Sequence, residues 1–266
     1  MSSDEEALEI LTPSAAMLPV LTGLRASLSR LGDIKTKSAP RIWDNINFEG
    51  TASLMARFAL WTDGWPQGIL PPDDAVTYSD VRDMFSNELE IMSPEDLDKH
   101  FHALIDGAPL SREYRRIAAA RDITRLMKDR MALGWGGFDV VQGNPAEQEL
   151  LRRRRMFVDY FRNDFDWTRL RGWELSCAAS LLEKAIYVEI VTPSDVQPYQ
   201  RRITGEAIAR FASWNAYARA VICARTFQSL EEGVLCARQR TSEDEAMLQA
   251  LLAEPWKASH WPRVAP

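Results

Sequence analysis

The chain has 266 residues, of which 46% are hydrophobic and 26% are charged, and 38 acidic against 32 basic side chains give a net charge of −6. This composition is typical of a globular protein with one large domain or two small ones, and it excludes any need for a metal or disulfide staple. The negative charge disfavours non-specific binding to nucleic acid or to an anionic membrane, so an electrostatically steered partner should be basic.

The N-terminus and the cysteines predict a cytoplasmic protein without a membrane segment. The first residues, MSSDEEALEIL, are acidic where a signal peptide carries positive charge. The uncharged stretch from Ile10 to Leu24 contains two prolines and is too short to cross about 30 Å of hydrocarbon. The cysteines lie far apart among aliphatic residues, which predicts buried, reduced thiols and no disulfide framework. They are Cys177, Cys223 and Cys236.

Helical periodicity dominates the chain from its beginning. The stretch SAAMLPVLTGLRASLSRLG places its leucines on one stripe, and TASLMARFALW repeats that pattern. The Pro- and Gly-rich stretch from Asp63 to Asp74 must be a loop. It therefore divides an N-terminal helical elaboration, residues 1–75, which packs on the rest, from a helical domain of residues 76–266.

Later segments have well-formed helix signals. In SPEDLDKHFHALIDG, Ser93 is an N-cap, Pro94 takes the first helical position and Gly107 ends the helix. A long helix then runs to a glycine-rich break at residues 134–144, and helix signals continue from Pro145 almost to Trp256. The stretch YVEIV allows at most one short strand. The sequence predicts an all-α, multi-helix globular bundle with short loops.

No motif predicts a catalytic, cofactor-binding or metal-binding residue. The stretch GWGGF lacks the third glycine of a dinucleotide fingerprint, and the chain has no P-loop, no G-x-S-x-G and no paired-cysteine zinc spacing. His100 and His102 are two apart on a predicted helix, so they point to different faces. Each follows an aspartate by four residues, Asp96 and Asp98, which predicts exposed helix pairs.

The run RRRR, residues 152–155, is the strongest cluster of positive charge. Four consecutive helical residues point in all directions around the helix instead of forming one basic stripe. We therefore predict ion pairs with nearby acids rather than the basic face that nucleic-acid binding requires. The predicted acidic partners are Glu147, Glu149 and Asp159.

The aromatic stretch FASWNAY predicts a place where helices pack together. Tyr217 and Val221 follow Trp214 on one helical stripe, and Ser213 is the expected N-cap. Trp173 begins another helix, whose small residues would let a neighbouring helix approach closely. The predicted core residues are Trp173, Phe211, Trp214, Tyr217 and Val221.

Three segments resemble the bacterial family catalogued as domain of unknown function 1266. They are LEIMSPEDLDKHFHALIDGAP, GWELSCAASLLEKAIYVEIVTPSDVQPY and RFASWNAYARAVICARTF. The resemblance covers roughly Tyr78 to Phe227 and implies an intracellular α-helical bacterial protein without an assigned reaction. It also implies a group whose members can lie beside secretion and toxin genes. The matching positions include Trp173, Glu174, Tyr187, Phe211, Ser213, Trp214, Tyr217, Arg225 and Phe227.

Two functions stay open. The first is a non-enzymatic protein-binding module, such as a cytoplasmic immunity or adaptor protein that neutralises a basic secreted toxin, for example a type VI secretion effector. Its contacts would be loop tryptophans beside acids, unless both tryptophans pack on their own domain. The second is an enzyme or toxin effector with a site assembled in three dimensions from Glu174, Arg225, Asp96 and the histidines. A homodimer is compatible with either. The predicted partner-binding residues are Asp63, Trp65, Asp73, Asp74, Trp135 and Asp139.

Overall fold

The structure is a computed structural model that describes residues 15–36, 47–65, 68, 75–120, 145–164 and 167–262. The regular elements in these ranges are all helical, with no β-strand, so the predicted all-α fold is confirmed. The residues at 187–191 that allowed a strand end a helix and form a turn. None of the described helices is long and apolar enough to cross a membrane.

The helices are numbered in chain order. A π-helical turn at Met84–Glu88 follows the third helix, and a 3₁₀ turn at Trp167–Leu170 precedes the seventh. The α-helices are α1 Met17–Asp33, α2 Phe48–Thr62, α3 Ala75–Asp83, α4 Pro94–Ile105, α5 Pro109–Ala119, α6 Pro145–Phe161, α7 Arg171–Tyr187, α8 Pro193–Arg210, α9 Trp214–Ser229 and α10 Val234–Ala253.

Helix α7 lies at the centre of the fold and packs against α2, α4, α8 and α9. Most of its side chains are buried, because the helix is surrounded on several sides rather than on one. Its small residues permit close packing: a Cβ added at Gly172 would lie 2.7 Å from the Cβ of Ala220 in α9.

The two N-terminal helices share the core of the later ones. Helix α1 packs on α9 and α10, and α2 packs on α7 and α8, so one hydrophobic cluster includes Leu24 and Phe58 together with C-terminal residues. Asn215 of α9 binds the end of α1, donating from Nδ2 to the carbonyl oxygens of Leu31 at 2.7 Å and Ile34 at 2.6 Å. These bonds satisfy carbonyls that a helix end leaves without partners.

The aromatic stretch that begins α9 lies in the core, where all five predicted core residues are buried. Trp214 stacks on Trp256 with 4.8 Å between ring centroids and meets Trp261 edge to face at 4.7 Å. Each indole N–H donates to a backbone carbonyl, those of Ser259, Leu54 and Phe211 respectively. Since Trp256 and Trp261 follow α10, these contacts hold the C-terminal segment against the bundle.

The predicted helix starts at Ser93 and Ser213 are present. Ser93 Oγ accepts from the backbone N–H of Asp96, and Ser213 Oγ accepts from that of Ala216, both at 3.2 Å. The helix predicted to follow Gly107 begins at Pro109, and its continuation beyond residue 120 lies outside the described residues. Local sequence therefore decides where these helices begin.

Candidate protein-binding surface

Glu174 forms part of a buried ion pair that joins two helix ends. Arg171 Nη1 donates to Glu174 Oε2 at 2.7 Å, and Arg171 Nη2 donates to the carbonyl oxygen of Ile105 at the end of α4. Glu174 also accepts from Ser111, from its N–H at 3.1 Å and its hydroxyl at 2.8 Å, at the start of α5. Arg171 lies at the C-terminal end of α4, and Glu174 lies at the N-terminal end of α5. Each charge is stabilised there by the helix dipole, so the pair has a structural role.

Arg225 and Asp96, the other proposed members of a three-dimensional site, have separate surroundings. The guanidinium of Arg225 lies over the ring of Trp173, and its Nε is 3.6 Å from Asp244 Oδ2. Hydrogen bonds from Lys99 and from the Ser93 hydroxyl lower the pKa of Asp96 to about 2. Each group is thus bound to partners of its own.

The two histidines of α4 differ in their contacts. His102 contacts Asp98 at 3.4 Å through Nε2 and Asp106 at 2.5 Å through Nδ1, so the predicted pair with Asp98 is present. The pair predicted between Asp96 and His100 is absent, because Asp96 binds Ser93 and Lys99 instead. Within the described ranges, no group of His, Cys, Asp and Glu side chains is arranged to hold a metal ion.

The cysteines are free thiols, but only Cys223 is fully buried, whereas Cys177 and Cys236 are half-buried. Burial raises the pKa of the Cys223 thiol to about 12. Burial also raises the pKa of Cys177. Neither thiol is therefore a reactive thiolate near neutral pH.

All four arginines of the RRRR run have partners within the protein. Arg153 contacts Glu149 at 3.1 Å and Arg155 contacts Asp159 at 2.6 Å, as predicted. Arg155 also donates to the carbonyl oxygens of Ile117 and Ala120, which end α5. The remaining pairs are Arg152 with Glu149, and Arg154 with Glu113 and Glu231. The run therefore connects α6 to its neighbours rather than forming an unpaired basic face.

Trp65 packs on its own domain, which is one of the two alternatives that the sequence left open. Only 5% of this residue is exposed, and its ring meets that of Tyr187 edge to face with 5.8 Å between centroids. The chain turns back at the end of α2, where the Trp65 N–H donates to the Leu60 carbonyl, so the ring packs against the end of α7. Asp63 is exposed but binds Lys184 Nζ. Asp73, Asp74, Trp135 and Asp139 lie outside the described residues.

A different part of the surface concentrates the negative charge of the protein. Residues 80–106, here called the acidic segment, contain eight acidic side chains and only two basic ones, Arg82 and Lys99. The resulting formal charge of −6 equals that of the whole chain. The rest of the sequence has equal numbers of acidic and basic side chains, and the excess of acids in this segment can attract a basic partner.

Five carboxylates of the acidic segment are exposed and have no hydrogen-bond or ion-pair partner in the part of the chain that the structure describes. The other three bind neighbouring groups: Asp96 to Lys99, Asp98 to Tyr199 and Asp106 to Arg202. The free carboxylates lie within residues 80–95 and can accept hydrogen bonds from a partner. They are those of Asp80, Asp83, Glu88, Glu90 and Glu95.

Met92 lies within this stretch and is 71% exposed. Its neighbour Ile91 is buried, and the Ile91 N–H donates to the Phe85 carbonyl at 2.7 Å, which fixes the backbone beside it. Ser93 caps α4 directly afterwards. A flexible, polarisable apolar side chain is thus exposed at a fixed turn, in the same segment as the free carboxylates, which suits it to anchoring a partner.

No motif in the sequence predicts this surface. The excess of acids from Asp80 to Asp98 was the available signal. No signal in the sequence indicates that Met92 is exposed. Its exposure depends on the π-helical turn at Met84–Glu88 and on Glu90, which has a left-handed backbone with φ 53°.

Comparison with known proteins identifies a family but no characterised relative. Residues 84–265 match the family model described as Protein of unknown function (DUF1266). The match includes α10 and the C-terminal tryptophans, beyond the Phe227 limit estimated from sequence, and leaves out α1, α2 and α3. No curated protein and no solved structure matches the chain.

Proposed function

Since the chain belongs to the family described as Protein of unknown function (DUF1266), which assigns no activity, we propose its function from the surface described above. The protein acts by binding a basic protein partner through the acidic segment and Met92. Its most concrete form is a cytoplasmic immunity or adaptor protein that neutralises a secreted bacterial toxin. The observation that carries the proposal is that one segment of the chain contains five free carboxylates and an exposed methionine.

Charge complementarity supports a basic partner. Free carboxylates accelerate the encounter with a cationic surface and make that rate fall as salt increases, because exposed charges are screened beyond about 8 Å at physiological ionic strength. Exposed Met92 would supply an apolar contact, which the carboxylates at a hydrated interface cannot provide. The expected interface therefore has an apolar centre and an acidic rim.

The use of the other polar residues also supports a binding role. Arg171, Glu174 and Arg155 make contacts that hold helix ends together. These side chains are of types that enzymes use, yet each has partners that explain its position without a substrate. Apart from Glu95, which lies in the first turn of α4, the free carboxylates of the acidic segment have no such explanation in the described part of the chain.

Co-expression tests the immunity role. The gene adjacent to that of this protein is expressed alone and together with it, and growth and co-purification are measured. We expect the neighbour to inhibit growth alone, and the protein to restore growth and to co-purify with it. Toxicity without rescue and without co-purification would contradict the proposal.

Matched variants test the surface itself. The triple variant D83N/E88Q/E95Q should weaken binding of the co-purified partner and remove most of its salt dependence, because it neutralises free carboxylates. The control is Glu243→Gln, since Glu243 is exposed but lies on α10 and binds only Gln239 in the described structure. Equal affinity of the triple variant and the control would exclude the acidic segment as the contact.

Met92→Ala should weaken the same complex by about 5- to 30-fold, which corresponds to the 1–2 kcal/mol of an interface anchor. Leu235→Ala is the matched control, because Leu235 is 82% exposed but lies at the start of α10. An unchanged dissociation constant for Met92→Ala, measured by calorimetry, would show that the methionine does not anchor the partner.

A further inference from the structure

A cleft of about 420 Å³ opens between α1 and α10, away from the acidic segment. Its walls carry Thr22 and Ser27 from α1, and Thr241 and Ser242 from α10. Arg30 and Arg238 also line it, with Glu245 as its acidic member. The volume is within the range of about 300–1,000 Å³ that small-molecule sites occupy.

The one carboxylate that lines the cleft already accepts hydrogen bonds from protein groups at both of its oxygens. Glu245 accepts from Arg30 Nε at 2.5 Å and from Arg30 Nη2 at 2.6 Å. It also accepts from the Ser27 hydroxyl at 2.6 Å and from Gln249 Nε2 at 2.9 Å. Two hydrogen bonds to each oxygen leave little capacity for a ligand, so Glu245 serves to fix the Arg30 guanidinium in one plane.

The groups that remain for a ligand are donors. Arg30 uses Nε and Nη2 for Glu245, so its Nη1 group is left for other contacts. Arg238 is exposed and has no carboxylate partner in the described part of the chain, and Ser242 is also an exposed residue. Two guanidinium groups and a hydroxyl beside one neutralised carboxylate are suited to binding an oxyanion.

Gly23 keeps the α1 wall of the cleft open. A Cβ added at this position would have no atom within 4 Å, so neither packing nor backbone conformation requires a glycine there. A glycine inside a helix costs about 1 kcal/mol relative to alanine. The unfilled space at Gly23 is part of the volume that a ligand would use.

We propose that the cleft between α1 and α10 binds a small molecule through a carboxylate or phosphate group held by Arg30, Arg238 and Ser242. The site lies partly outside the family match, because α1 precedes residue 84. It is independent of the proposed protein-binding surface, since it shares no residue with the acidic segment.

Titration of the full chain with inorganic phosphate and with succinate, at constant ionic strength against chloride, tests the site. Amide NMR signals of residues in α1 and α10 should shift and saturate with at least one of the two anions, and comparison of the two distinguishes a phosphate from a carboxylate site. The absence of a saturable shift with both anions would overturn the proposal.

Variants separate a built site from general attraction to positive charge. Arg238→Gln should weaken binding by about 10- to 100-fold, the equivalent of one charge-assisted hydrogen bond. Arg201→Gln is the control, because Arg201 is an exposed arginine on α8. Gly23→Leu, which fills the cleft without a backbone clash, should abolish binding while the melting temperature is retained. Equal weakening by the Arg201 and Arg238 substitutions, or full binding by Gly23→Leu, would overturn the proposal.

Discussion

Asp244 and Arg225 face each other inside the bundle without a close hydrogen bond: Arg225 Nε lies 3.6 Å from Asp244 Oδ2. Neither atom has a hydrogen-bond partner in the described structure. The guanidinium of Arg225 also lies over the ring of Trp173, whose centroid is 4.6 Å from the guanidinium carbon. A buried carboxylate with an imperfect cationic partner is expected to be sensitive to pH.

Asp244→Asn should reduce the dependence of stability on pH. Burial raises the pKa of Asp244 from 3.8 to about 6, although the nearby Arg225 and Arg240 oppose that rise. The carboxyl of Asp244 therefore binds its proton more tightly in the folded protein than in the unfolded chain. The stability that this proton contributes is fully present below pH 4 and is lost as pH rises through 6. We expect the free energy of unfolding of the variant, relative to wild type, to increase by up to about 3 kcal/mol between pH 4 and 7. Urea unfolding at several pH values measures this, and a constant difference would contradict it.

Glu174→Ala should destabilise the protein by about 3–5 kcal/mol, because it leaves the buried charge of Arg171 without its closest partner. Glu206→Ala is the control: Glu206 also contacts Arg171, at 2.8 Å, but is partly exposed, so its loss should cost less. The double variant R171M/E174L should be more stable than Glu174→Ala, since it removes both buried charges. Chemical denaturation measures the free energy of unfolding of the three variants. Equal losses of stability for Glu174→Ala and Glu206→Ala would show that the buried pair is not the main contribution.

Alanine substitutions at two helical glycines should change the stability of the protein in opposite directions. At Gly172 the new Cβ would lie 2.8 Å from the backbone nitrogen of Val221, so α7 and α9 would have to separate at a cost of about 1–3 kcal/mol. At Gly205 in α8 the new Cβ would meet nothing within 4 Å, and alanine should stabilise the helix by about 0.5–1 kcal/mol. Thermal unfolding of both variants checks the pair. A destabilised Gly205→Ala variant would show that space alone does not decide the outcome.

Trp256→Ala should cost about 3–5 kcal/mol, because it removes a fully buried ring that stacks on Trp214. Trp256→Phe keeps an aromatic ring but loses the N–H bond to the Leu54 carbonyl, so a smaller loss of about 1–3 kcal/mol is expected. Denaturant midpoints of the two variants give the comparison. If both variants unfold as wild type does, the C-terminal segment does not contribute to the stability of the bundle.

The sequence by itself determined the helical class, the caps at Ser93 and Ser213, and the core position of Trp214. It also determined that the arginine run pairs with Glu149 and Asp159. These features depend on groups within a few turns of one helix, or on periodicity that identifies a buried face, so a linear pattern contains them.

Only the tertiary structure decided that Trp65 is buried against Tyr187 and that Met92 remains exposed. It also brought Ser27 of α1 to Glu245 of α10, which are 218 residues apart in the chain. No local pattern specifies which distant helix covers a given side chain. Burial of these side chains depends on how the helices pack against one another, and the cleft and the acidic segment are the surfaces that this packing leaves uncovered.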